Sequence, residues 1–185
     1  LRRLFAEGAF NAAFVPLFAK TLESDGRDAA RRFAAEALAG LLCVLLAVVI
    51  LAELFMPQLV GLLASGYGPD DPRFPLAVEL SHITFPYILF ISIAALFAGV
   101  LNAVGRFGAA AFAPVLLNVV LVAVLLLAHL HPQGRAHAVA WGVAVAGVLQ
   151  LAWMVRAARR EGFGLPLLRP RWTKRVRRLG WLVLP

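Results

Sequence analysis

The chain has 185 residues, 62% of them hydrophobic and 15% charged, with 18 Lys and Arg against 10 Asp and Glu for a net charge of +8. A soluble domain is roughly half apolar and a quarter charged. The apolar surplus exceeds what one globular core can hide, which excludes an ordinary water-soluble fold and makes the bilayer the expected solvent.

A helix crossing the hydrocarbon needs about 20 mostly apolar residues in succession. In chain order, the runs between charges predict spans at about 4–19, 37–64, 83–104, 107–130 and 136–155, with the start of another at 179–185. The first is short. The second is split by Glu53 into uncharged runs of 16 residues on either side, and reads as one long helix with Glu53 near its outer end. The next three lie within uncharged windows of 26, 28 and 20 residues. Pro16, Pro57, Pro86 and Pro114 each remove a helical hydrogen bond, so several spans are expected to bend. Ala138, Gly142 and Ala146 recur every four residues and predict a closely packed helix face, and Ala95 and Gly99 form a shorter such pair. The fold class is therefore all-α, a polytopic transmembrane helix bundle. Leu1 is not an initiator Met, no signal peptide is visible, and an apolar run is just beginning at 180–185, so a fragment of a larger membrane protein is expected.

Cytoplasmic loops retain Lys and Arg. The connections 20–32, 105–106 and 156–178 hold fourteen of them, whereas 65–79 and the turn after His129 hold two. That asymmetry places the first three in the cytoplasm and 65–79 outside. Nine of the fourteen lie between Arg156 and Arg178, a cluster suited to anionic lipid headgroups. Nucleic acid is not an expected partner, because the flanking spans and the positive-inside pattern already account for the basic run.

Few residues offer reactive chemistry. Cys43, the single cysteine, lies in an apolar run and reads as a small buried hydrophobe. His82 starts a span, and His129, His131 and His137 flank one short loop with no carboxylate or cysteine nearby in sequence, so they read as solvated loop ends and no metal is expected. Asn118 is expected to bond a neighbouring helix, and Tyr87, Trp141 and Trp153 to pack or to form interfacial belts. The first helix is different. A charge at membrane depth costs roughly 2.5–3.5 kcal/mol on insertion scales and usually faces a partner or a cavity. Arg3, Glu7 and Asn11 share one stripe at spacing four, and Arg2 points about 100° away. Glu7 can neutralise Arg3 one turn away, which leaves Arg2 unpaired. Arg2 lies roughly 27 Å of helix from Lys20, so it falls either at mid-depth facing a cavity or at the outer interface.

Three stretches carry a resemblance: LRRLFAEGAFNAAFVP at 1–16, ITFPYILFISIAALFAGVLNAVGRFGAAAFAPVLLNV at 83–119, and WGVAVAGVLQL from Trp141. They closely resemble the lipid II flippase family (MurJ/MviN) of bacterial inner membranes, in the multidrug/oligosaccharidyl-lipid/polysaccharide exporter superfamily, and the likeness extends over essentially the whole chain. It implies a two-lobed exporter with a central cationic cavity, of which this chain would supply most of the N-terminal lobe. It further implies movement of the undecaprenyl-diphosphate-linked disaccharide pentapeptide from the cytoplasmic to the periplasmic leaflet by alternating access, for cell-wall synthesis. The expected protein is a transporter, not an enzyme, and needs no cofactor. In the family's motif the first Arg faces the cavity, and the matching residue is Arg2, with Arg3, Glu7 and Asn11 in support. Guanidinium forks bind phosphate oxygens bidentately, which suits a diphosphate. Competing readings are an exporter of another lipid-linked oligosaccharide, a membrane enzyme, and a structural membrane scaffold. An enzyme would show Asp, Glu or His constellations for acid and base work, and transport is the smallest claim that explains intramembrane arginine together with bent helices.

Overall fold

In the computed structural model residues 9–63, 71–129 and 134–166 are described, with side chains from residue 13 onward and without that of His129. Among the described residues there are six α-helices and no strand: α1 (Ala9–Leu54), α2 (Met56–Leu63), α3 (Phe74–Thr84), α4 (Tyr87–Ala103), α5 (Gly108–His129) and α6 (Arg135–Arg160). Four helical stretches are long and apolar enough to cross a membrane: Ala13–Leu54, Phe74–Ala103, Gly108–Ala128 and Arg135–Arg160.

α1 is not one rod. Gly26 has φ 83° and ψ 179°, a conformation essentially confined to glycine. In a straight helix Phe14 and Phe33 would be roughly 28 Å apart, yet their rings stack with centroids 5.6 Å apart. The chain therefore reverses at Gly26, and the arms 9–25 and 27–54 lie side by side. The connection 20–32, expected as a loop, is helical on both sides of this glycine. Its Glu, Arg, Lys and Ala residues are good helix formers whose charges are solvated at an exposed bend, so the loss of apolar character there marks the bend without ending the helix.

The prolines shape the remaining breaks. Helical bonds continue from α1 into α2, Phe55 N–H donating to Leu51 O at 3.1 Å and Leu59 N–H to Phe55 O at 3.0 Å, while Pro57 has no N–H to donate to the carbonyl of Glu53. α3 and α4 meet at Pro86, where Ile88 and Leu89 donate only three residues back, to Phe85 O and Pro86 O, at 3.1 Å each. This helix starts at Phe74, earlier than the uncharged run alone suggests, because Glu79 in its second turn interrupts that run.

The helices pack in the order α1, α4, α6, α5, with α3 against α6 and α2. α4 lies at the centre and buries Ile93, Leu96, Phe97, Val100 and Leu101. Of the row expected at Ala138, Gly142 and Ala146, Gly142 and Ala146 are buried and Ala138 half-buried, and the same face continues through Gln150, Met154 and Ala158, all buried. A Cβ on Gly142 would meet Val124 Cγ2 of α5 at 3.0 Å, and one on Gly147 would meet Tyr87 Cδ2 of α4 at 2.7 Å. α5 presents most of its surface outward, with Val119 and Leu126 exposed. Asn118 is also exposed on this helix, not bonded to a neighbour as expected. Cys43 is exposed too, on the outer face of α1. The apolar run there faces away from the core, so burial in lipid, rather than in protein, is what its composition reports.

Candidate functional site

The residues of the expected cationic site adjoin the first arm of α1 in sequence. Arg2, Arg3 and Glu7 lie outside the described residues, and Asn11 falls in the first turn of α1 with its side chain outside them. What the structure does show is how firmly the following turns are held. Phe14 and Phe18 are fully buried. Phe14 stacks on Phe18 with centroids 5.6 Å apart, and Phe18 meets Phe163 edge-on at 5.7 Å. Such aromatic pairs contribute roughly 0.5–1.5 kcal/mol beyond their burial. Pro16, inside this arm, removes the N–H that would bond Ala12 O, one turn beyond Asn11.

One end of the bundle collects the basic connections. α6 ends in a Schellman motif: Phe163 N–H donates to Ala158 O at 2.8 Å and Gly162 N–H to Arg159 O at 3.1 Å, with Gly162 at φ 81°, the left-handed conformation this cap favours. The motif drives Phe163 into the core and turns Glu161 toward the other connections. Arg27, just past the bend of α1, donates through Nη2 to Glu161 O at 2.8 Å and lies over the Phe163 ring, 5.1 Å from its centroid. Arg31 Nε donates to Gly164 O at 2.7 Å, and Arg106 Nε pairs with Glu161 Oε1 at 3.1 Å. The bend at Gly26, the turn after α4 and the end of α6, three regions grouped by their charge in the sequence, thus touch one another.

The opposite end is held by histidine and carboxylate pairs that the sequence did not announce. His82 Nδ1 lies 2.5 Å from Glu53 Oε2, joining α3 to α1, and His137 Nε2 lies 3.1 Å from Glu79 Oε1, joining α6 to α3. The expectation of His137 as a solvated loop end with no carboxylate nearby is corrected: its partner Glu79 is far away in sequence and adjacent in space, while His131 and the side chain of His129 lie outside the described residues. No group of three or more His, Cys, Asp or Glu side chains that could hold a metal occurs among the described residues. Between the two ends sits Gln150, 2% exposed. It accepts from Tyr87 O–H at 3.1 Å and donates through Nε2 to Ala113 O at 2.8 Å, tying α6 to α4 and α5 next to Pro114. Trp153 N–H donates to Ala109 O at 3.2 Å. The tryptophan and tyrosine pack as expected, whereas Gln150 was missed; a lone amide within an apolar run was its only signal.

From His137 to Arg156 is roughly 28 Å of helix, close to the about 30 Å of hydrocarbon in a bilayer. A set of apolar helices of that length, with polar pairs at one end and guanidiniums at the other, defines a polytopic α-helical membrane protein. The profile of the family described as Lipid II flippase MurJ matches residues 1–185, and the chain belongs to that family. It is 48% identical over 188 residues to a protein of Rhizobium meliloti (strain 1021) and 46% identical over 188 residues to one of Rhizobium tropici, both named "Probable lipid II flippase MurJ", covering all of this chain and 35% of each relative. It is 44% identical over 151 residues to the "Lipid II flippase MurJ" of Burkholderia cenocepacia, covering 81% of this chain and 29% of that relative. The chain thus spans about a third of the length of the curated relatives it matches.

Proposed function

We propose that the protein to which this chain contributes flips the undecaprenyl-diphosphate-linked disaccharide pentapeptide from the cytoplasmic to the periplasmic leaflet of the bacterial inner membrane by alternating access. The observation that carries this reading is the family match over the whole chain. On this reading the chain forms most of one lobe of a two-lobed exporter, and the cavity lies between the lobes. Arg2 presents its guanidinium to the diphosphate, whose oxygens a planar fork can bind in pairs, while Glu7 holds Arg3 and Asn11 adds a neutral donor on the same stripe.

The connections 20–32, 105–106 and 156–178 face the cytoplasm, and the joining of all three regions by Arg27, Arg31, Arg106 and Glu161 supports one shared side. The basic stretch 156–178 then lies against anionic lipid headgroups. No bond breaks in such a process. The barrier is the passage of a charged sugar-peptide through hydrocarbon, which a hydrated cavity lowers while the polyprenyl tail stays in lipid. Moving each negative charge outward down an inside-negative potential releases about 2.3 kcal/mol per 100 mV, so the membrane potential favours export.

Reconstitution of the full-length protein tests the reading. Lipid-linked precursor loaded in one leaflet of sealed vesicles should reach an impermeant modifying enzyme on the other side faster than in protein-free vesicles. Equal rates in the two preparations would rule the function out.

A further inference from the structure

A cavity of about 320 Å³ opens at the basic end, between the turn after α4, the first residues of α5 and the last turns of α6. Its rim carries three guanidiniums, Arg106, Arg156 and Arg160, against one carboxylate, Glu161. Glu161 is committed to Arg106 at 3.1 Å, which leaves Arg156 and Arg160 as unneutralised cations among the described residues. Deeper in, the walls are Leu101, Ala109 and the ring of Trp153, whose N–H is already donated to Ala109 O at 3.2 Å. The indole therefore offers the cavity an apolar face. A cationic rim over an apolar floor, at the last turns of α6, matches an amphiphile with a phosphate at its head and hydrocarbon below.

We propose that this cavity seats the phosphodiester headgroup of an anionic phospholipid of the bilayer, with Arg156 and Arg160 on the phosphate oxygens and the acyl stem running over Trp153 and Ala109. The assignment to the cytoplasmic leaflet rests on the orientation proposed above. The size is at the lower end of small-ligand pockets, which run from roughly 300 to 1,000 Å³, and fits a glycerol-phosphate head better than a disaccharide pentapeptide. A zwitterionic head offers the same phosphodiester oxygens to the guanidinium forks but adds a tethered ammonium that the two arginines repel, so an anionic head is favoured.

The test is the binding of phosphatidylglycerol to the purified full-length protein in detergent, counted by native mass spectrometry. Arg156→Ala with Arg160→Ala should weaken binding about fivefold for each guanidinium removed, the scale of one basic residue acting on an anionic lipid surface. Lys20→Ala with Arg32→Ala, two exposed charges at the same end but off the cavity, should leave it within about twofold. The decisive variant changes no charge. Gly108 lines the cavity and a Cβ there meets nothing within 4 Å, so a side chain can start there without a clash; Gly108→Phe, or Gly108→Leu should the larger ring impair insertion, should occupy the space and abolish the tight lipid.

Undiminished phosphatidylglycerol on the cavity-filling variant, or an equal loss on the Lys20 and Arg32 variant, would overturn the proposal in favour of diffuse attraction. Displacement by inorganic phosphate would reduce the site to a simple anion site, and stoichiometric displacement by the lipid-linked diphosphate precursor would assign it to the transport route; either result overturns the assignment. Because binding is read without transport, a protein that holds phosphatidylglycerol here yet moves no precursor refutes the proposed function and leaves this site standing.

Discussion

Replacing Gly147 by alanine should destabilise the bundle although alanine is the better helix former. The added Cβ would lie 2.7 Å from Tyr87 Cδ2 and 3.2 Å from Phe90 Cβ and Cδ2, against an optimal carbon separation of about 3.5 Å or more. The tyrosine ring must move by about 0.8 Å to restore that separation. It is tethered at its far end, where the hydroxyl donates to Gln150 at 3.1 Å, so the same movement stretches or breaks that bond. Overpacking of a tight contact costs about 1–3 kcal/mol and a lost hydrogen bond about 1 kcal/mol, while alanine over glycine returns about 1 kcal/mol of helix propensity. The net expectation is a loss of about 1–3 kcal/mol. The assay is thermal unfolding of the full-length protein in one detergent, with two comparison variants. Gly142→Ala, where the nearest atom is the methyl end of Val124 at 3.0 Å, should lose less, and Gly108→Ala, where nothing lies within 4 Å, should be neutral or slightly stabilised. If Gly147→Ala unfolds no earlier than Gly108→Ala, the close approach of α4 and α6 is not what holds these helices.

Gln150→Leu should cost about 1–3 kcal/mol by removing two hydrogen bonds at once, from Tyr87 O–H and to Ala113 O, whereas Tyr87→Phe, which leaves the bond from Gln150 to Ala113 O intact, should cost less in the same melt. A larger loss from Tyr87→Phe would reverse the roles given to the two side chains. Gly26→Ala should cost about 1–3 kcal/mol by forcing a Cβ into a backbone region essentially confined to glycine; an unaltered melting temperature would argue against the tight reversal between the arms of α1. In a Cys43→Ser background, Ser24→Cys should be protected from an impermeant thiol reagent in intact cells while Asp71→Cys reacts. The opposite labelling pattern would invert the proposed orientation.

The sequence and the structure agree most closely where the argument depends on solvent alone. Uncharged runs of span length follow from the cost of charge in hydrocarbon, and the four helical stretches long and apolar enough to cross a membrane lie over such runs among the described residues. What depended on partners was not legible. Glu53 and His82 are 29 residues apart, and nothing in either neighbourhood signals the other. Gln150 looked like one polar residue on an apolar helix until α4 and α5 supplied its partners. The bend at Gly26 was hidden for another reason: a charged, helix-favouring stretch reads as a loop when only hydropathy is weighed, and one glycine suffices to reverse it. Cys43 and Asn118 were misplaced because an apolar run does not say whether it faces protein or lipid. In the first helix only Arg2 was legible as an unpaired charge, at mid-depth or at the outer interface, and its cavity role, with Arg3, Glu7 and Asn11 in support, came from the family resemblance and not from spacing.

The most direct measurement of the central claim is precursor export per molecule by the full-length protein carrying Arg2→Ala, beside Arg2→Lys and Arg3→Ala, in cells that depend on this protein alone. Removing an intramembrane charge lowers the cost of insertion, so Arg2→Ala should be inserted and abundant yet should not export the precursor. Arg2→Lys should retain part of the activity, because an ammonium keeps the charge and loses the planar fork. Arg3→Ala should reduce abundance more than turnover, since Glu7 is left without its partner. Normal growth and normal export with Arg2→Ala would contradict the assignment of the diphosphate to this arginine.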